Sequence, residues 1–146
     1  MTTRTARTAW TGGLQDGSGQ VELTTSGVGT FDVSWPRRTE DAQGVTSPEE
    51  LVAAAHSSCY SMAFSGELGR AGGTPRSLDV TAEVEFGPDP AGGFHISGIK
   101  FTVRGEVEGI DEATFLDCAE KAKAGCPISK ALASVPSITL DAALEG

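Results

Sequence analysis

SPEELVAAAHSSCYSMAFSGELGRAG, residues 47–72, is the stretch on which the fold turns. Ser47 offers a capping oxygen, Pro48 suits the first helical position, and Glu50 stands three residues after the cap. Glu49 and Glu50 place negative charge at the positive end of a helix dipole. No proline interrupts the run until Gly72, Gly73 and Pro75 close it, so the pattern predicts one helix to about Ala71. Leu51, Ala55, Cys59, Met62 and Gly66 recur at helical spacing on one face. Ala53, Ala54, Ser57, Ser58, Ser61 and Ser65 keep the other faces small. A helix that is small all round admits neighbours on more than one side. Its expected place is therefore central, between a sheet and something else, for which a second subunit is a candidate.

Strand patterns flank this helix on both sides. Residues 7–14, 20–25 and 29–35 read as three short strands, broken by glycine-rich turns, and the last two are spaced as a hairpin. PRRTEDAQGVT, residues 36–46, has no periodicity and is expected to be a loop. Beyond the helix, Leu78, Val80, Ala82, Val84 and Phe86 alternate in a strand over 78–86. A Pro-Asp-Pro-Ala-Gly-Gly turn leads to a second strand over 94–107, in which Gly98 and Gly105 are candidate bulges or bends. Asp111 caps a helix over 112–124, Cys126-Pro127 opens a shorter one over 128–133, and residues 135–144 form a last strand. The order β-β-β-α-β-β-α-α-β predicts a single α+β domain spanning 1–146.

The 146 residues suit one domain, and 38 % hydrophobic with 21 % charged residues suits a globular protein. Twenty acidic against 11 basic residues, a net charge of −9, argue against nucleic acid or an anionic membrane as partner. The first residues carry no apolar leader and the longest apolar run, LVAAA, is too short to cross a bilayer, so the cytoplasm is the expected location. No dinucleotide fingerprint is present and no cofactor is expected.

Three cysteines remain: Cys59, Cys118 and Cys126. An odd count in a chain of this kind is no disulfide framework, and any single cysteine is most often a small buried hydrophobe. A pair carries more. A thiolate that opens an O–O bond becomes a sulfenic acid, and a second thiol condenses with it to a disulfide before it over-oxidises. Cys59 and Cys126 are 67 positions apart, and spacing alone does not bring them together.

Residues 47–72 closely resemble the central helix of the OsmC/Ohr family of thiol peroxidases, and KAKAGCPISKAL, residues 121–132, resembles that family's second-cysteine motif. AAH before the first cysteine and KAGCP around the second are similar to the OsmC branch. The resemblance implies a curved antiparallel sheet behind the central helix and an intertwined homodimer. It implies reduction of organic hydroperoxides, and more weakly of hydrogen peroxide, in the response to oxidative and osmotic stress. Carried over by position, Cys59 matches the peroxidatic cysteine and Cys126 the resolving one. Glu49 matches the glutamate of the PEE stretch, and Arg38 is the best match for the arginine that pairs with it, with its neighbour Arg37 as the alternative. An external dithiol, such as a dihydrolipoyl group, is the implied reductant.

Those charges have a physical use. A guanidinium beside a sulfur favours the thiolate and can bond the peroxide oxygens as charge develops. An arginine in an apolar pocket needs an anionic partner, which Glu49 supplies. Glu49 and Cys59 are ten residues apart, ~15 Å along one straight helix, too far for one arginine to serve both. Either the helix breaks before Cys59, or Arg38 and Glu49 of one chain complete the Cys59 site of another; the second is favoured. Tyr60, Met62 and Phe64 surround Cys59 in sequence with apolar bulk that suits an alkyl or aryl hydroperoxide, although core packing explains each of them singly. His56 shares a helix face with Cys59, and packing is its ordinary role. Two competing readings remain: a zinc site from His56, Cys59, Cys118 and Cys126, whose spacing lacks the usual close ligand pair, and a non-catalytic dimeric module of the same fold.

Overall fold

The computed structural model describes all residues, Met1–Gly146. The chain divides into two compact units, Met1–Leu51 and Val52–Gly146.

The first unit is built on an antiparallel meander, β1 (Arg7–Thr11), β2 (Ser18–Glu22) and β3 (Thr30–Val33). Trp10 pairs with Gly19, which pairs in turn with Val33. No residue of these strands is buried. A five-residue helix follows, α1 (Trp35–Thr39), inside the stretch expected to be a loop. Ser34 caps it by accepting the Arg37 N–H, and Pro36 stands in its first turn. The Ser-x-Pro signal was in the sequence, but one turn is too short to carry periodicity.

α2 (Pro48–Arg70) starts in the first unit and continues through the second without a break. Ser47 Oγ accepts the Glu50 N–H at 3.1 Å. Glu50 does not reach back as a full capping box would; its carboxylate takes the Thr46 hydroxyl instead. The far end closes with Gly72 at φ +87° and the Gly73 N–H on the Leu68 carbonyl at 2.9 Å. That bond and left-handed residue form the Schellman stop, which explains why a glycine stands there.

In the second unit β4 (Thr74–Pro88) and β5 (Phe94–Glu108) form a long antiparallel hairpin. The alternation read from Leu78 to Phe86 holds: Leu78, Val80, Ala82 and Val84 pack against the core, and Phe86, past a register shift, stacks on Phe94. The register shifts between Glu85 and Phe86, opposite Gly98 and Ile96, so Gly98 does adjoin a bulge. α3 (Glu112–Gly125) and α4 (Pro127–Ala131) then cross over to β6 (Ile138–Glu145). β6 runs parallel to β5, so this sheet, of order β4-β5-β6, is mixed rather than wholly antiparallel. A two-helix crossover returns the chain to the end of the sheet from which β5 started, and a parallel strand results.

The core lies between this sheet and the helices. Tyr60, Phe64 and Leu68 of α2 meet Ile99, Phe101 and Val103 of β5 and Phe115, Cys118, Ala119 and Ala122 of α3. Tyr60 stacks on Phe101 with ring centres 4.6 Å apart, and Phe64 meets Phe115 edge-on at 5.1 Å. The buried stripe of α2 is thus His56-Tyr60-Phe64-Leu68, one step round the helix from Cys59, while Met62 is 75 % exposed. No helix is long and apolar enough to cross a membrane.

Candidate active site

Cys126 occupies the junction of α3 and α4. The proline after it disfavours helical backbone, and Cys126 takes φ −56°, ψ 128°, which stops α3 and starts α4 one residue later. Its sulfur comes to 2.9 Å from that of Cys59 on α2, and both are free thiols. Cys126 has no exposed surface, whereas Cys59 is partly exposed, so Cys59 is the sulfur that a dissolved molecule meets first.

At this distance the two sulfurs compete for one proton. Burial pushes the Cys59 thiol up and the neighbouring Cys126 adds to the rise, with the Ile128 N–H acting the other way. Burial also opposes charge on Cys126, but donors outweigh it: the Cys59 S–H, the N–H groups of Ser129 and Ile128, and the Ser129 hydroxyl pull its pKa down. Of the two sulfurs, the surroundings of Cys126 favour the charged form and those of Cys59 oppose it.

Arg38 and Glu49 lie in the first unit. Arg38, on α1, gives its Nε to both carboxylate oxygens of Glu49 at 3.1 Å and its Nη2 to Oε1 at 2.7 Å. Glu49, in the first turn of α2, is only 8 % exposed. Arg37 turns elsewhere, to the Asp41 carbonyl at 2.8 Å and the exposed Glu40 carboxylate at 3.7 Å. Arg38 also stands over the Trp35 ring, 5.7 Å from its centre. Beside it opens a cavity of about 270 Å³ walled by Trp10, Leu14, Val33, Trp35 and Pro48. Of these, Trp10, Leu14, Val33 and Trp35 were not singled out from the sequence, although Trp10 and Trp35 are the chain's only tryptophans.

The sequence matches the family of OsmC-like proteins over residues 40–141. The chain is a member of that family. The peroxiredoxin OsmC of Escherichia coli is 42 % identical over 136 residues, 93 % of this chain and 92 % of the relative. The organic hydroperoxide resistance protein OhrA of Bacillus subtilis is 30 % identical, over 77 % of this chain and 79 % of that one. Among solved structures, the organic hydroperoxide resistance protein OsmC of Legionella pneumophila superposes with a TM-score of 0.72 at 24 % identity, covering 100 % of this chain and 98 % of that one. At that identity the likeness establishes the fold.

Within this OsmC-like chain several residues take places other than those expected from sequence proximity to Cys59. Tyr60 and Phe64 are wholly buried core residues, not the rim of an opening, because the i, i+4 repeat from His56 faces the sheet. Tyr60 gives its hydroxyl to the Ala119 carbonyl at 2.9 Å, and burial pushes its pKa far up. Cys118 packs in the α3 face with its S–H on the Glu67 carbonyl. The four residues of the zinc reading do not converge: no group of three or more His, Cys, Asp or Glu side chains forms a metal-binding cluster.

Proposed function

We propose that this chain reduces organic hydroperoxides to alcohols with Cys59 as the attacking sulfur and Cys126 as the resolving one. The observation that carries the reading is the 2.9 Å contact between a partly exposed thiol and a buried one rich in donors. Membership of a family whose relatives bear the names peroxiredoxin and organic hydroperoxide resistance protein supports it.

The steps balance without a cofactor. Starting from the pair with one proton between the two sulfurs, Cys59 attacks the terminal peroxide oxygen as that proton passes to the Cys126 sulfur; the O–O bond breaks, and the alkoxide takes a proton from water to leave as alcohol. The Cys59 sulfenic acid is then attacked by Cys126. The new S–S bond forms as the S–O bond breaks, and the hydroxyl departs as water with the Cys126 proton. An external dithiol, oxidised in turn, returns both thiols.

Arg38, held by Glu49, is assigned to favour the Cys59 thiolate and bond the peroxide oxygens. The apolar wall of Trp10, Leu14 and Trp35 beside that guanidinium suits the organic part of the substrate. Glu49 and Cys59 are ten residues apart in sequence, ~15 Å along a straight helix. We therefore assign Arg38 and Glu49 to the Cys59 site of a second copy, in a homodimer.

Stopped-flow oxidation with cumene hydroperoxide and with hydrogen peroxide, followed by mass spectrometry of the thiols, tests the reading. Faster turnover of the organic peroxide is expected, ending in a Cys59–Cys126 disulfide. Cys59→Ser should be inert, and Cys126→Ser should stop after one turnover with Cys59 as sulfenic or over-oxidised acid. Near-normal turnover by Cys59→Ser would refute the assignment.

A further inference from the structure

Behind the two sulfurs lies a buried polar contact that the reaction above leaves unused. His56 Nε2 and Ser129 Oγ are 2.7 Å apart, from α2 and α4, and His56 has no exposed surface while Ser129 has 6 %. A buried polar pair inside an aromatic core costs free energy unless its bonds are satisfied, so its presence there asks for a reason. The Phe101 ring packs edge-on to the imidazole at 4.5 Å, which fixes its plane.

Ser129 follows Cys126 by three residues on the same short helix, and its hydroxyl, with the main-chain N–H groups of Ile128 and Ser129, favours the charged form of the Cys126 sulfur. A hydroxyl has one proton to give. If it gives that proton to sulfur, its oxygen must accept from the imidazole, which requires the tautomer with hydrogen on Nε2. That tautomer leaves Nδ1, which has no protein partner, as a bare lone pair rather than a stranded buried N–H. Burial holds the ring neutral by lowering its pKa, so it is not competing as a cation. The hydrogen bonds then all run one way, from His56 to Ser129 to Cys126.

We propose that His56 and Ser129 are positioning residues for the resolving sulfur, the imidazole locking the serine hydroxyl so that its proton points at Cys126 Sγ. This rests on the two-cysteine reaction proposed above and extends it to the choice of resolving sulfur. With the hydroxyl locked, charge is favoured on Cys126 over Cys59, and the Cys126 sulfur takes the Cys59 proton during the first attack. In the second step the sulfur gives up that proton to the departing hydroxyl while the Ser129 hydroxyl stabilises the charge developing on it. No proton leaves the histidine and no other reactant is needed.

The test measures disulfide formation from the Cys59 sulfenic acid, by quenching single-turnover reactions with a dimedone-type trap across pH 5 to 9, a range chosen to span roughly the ordinary titrations of histidine and cysteine. Cys59 of α2 meets Cys126 directly, His56 of α2 reaches it only through Ser129, and Tyr60, raised by burial and by Glu120 of α3, stays neutral across that range. Ser129→Ala, a minimal change, should slow the step about tenfold at neutral pH and move its acid limb to higher pH, the effect of one lost bond to a charged sulfur. His56→Leu should do the same, and His56→Gln, which keeps an N–H near the Nε2 position, should restore much of the rate. A merely structural role would change amplitude or stability without moving the pH limb. Unchanged rate and limb in Ser129→Ala overturns the proposal, whatever His56→Leu does. Failure of the unsubstituted protein to form any disulfide would instead overturn the two-cysteine reaction itself.

Discussion

Arg38 meets Glu49 through Nε and Nη2 together, a fork that a lysine ammonium has no means to copy. Arg37, one residue away on the same short helix, is bound only to the Asp41 carbonyl and an exposed carboxylate. The two arginines therefore make a matched pair of substitutions. Arg38→Ala should slow formation of the Cys59 sulfenic acid on the order of a hundredfold, the scale for removing one donor to a developing anion. Arg37→Ala should leave that rate within about twofold, since a 3.7 Å pairing with an exposed carboxylate contributes little. Equal effects from the two would separate the guanidinium from the chemistry. Side chains of this kind were legible in the sequence because their chemistry is intrinsic: a thiol, a guanidinium and a carboxylate announce what they can do. Ser129 and the two tryptophans were not. A serine gains its part only from the register of a five-residue helix against α2, and nothing local encodes that.

Among the elements, α3 seats on β5 where the strand offers no side chain. A Cβ built on Gly105 would lie 2.9 Å from Leu78 Cδ2 and 3.0 Å from Phe115 Cε2. The sequence marked Gly105 as a bend or bulge; a register shift does lie close by, between Pro75 and Ser77, and the close approach of Phe115 is a further reason for the glycine. Gly105→Ala should destabilise the fold by about 1–3 kcal/mol through overpacking, read as a lower urea midpoint with an unchanged slope. A midpoint equal to that of the unsubstituted chain would show that Phe115 has room to move. Strand positions with strict alternation, such as Leu78 to Phe86, were readable because burial on one face writes a period of two into the sequence. The face of α2 was not read correctly, since small residues on every side leave the periodicity weak and Tyr60, Phe64 and Leu68 compete with the stripe through Cys59. The direction of β6 was equally hidden: a strand's residues state which face is buried, not which way the chain runs.

At the scale of the whole molecule, the first unit sets the problem. Its three-stranded meander has no buried strand residue, and Trp10, Leu14, Val28 and Phe31 lie exposed on it. A small sheet without a covered face is marginal by itself, so the second copy proposed to complete the Cys59 site would also cover these residues. One experiment tests the shared site. Cys59→Ser and Arg38→Ala should each be nearly inactive as pure proteins. When they are unfolded together and refolded, half the dimers are mixed, and in each of these one site has an intact Cys59 from one chain and an intact Arg38 from the other. If the site is shared between subunits, the mixture should recover about a quarter of normal peroxidase activity. If each chain supplies its own arginine, every site in the mixture lacks one group or the other and no activity returns. The size of the recovery therefore reads directly how the active site is divided between chains, provided mixed dimers are confirmed by mass spectrometry under native conditions.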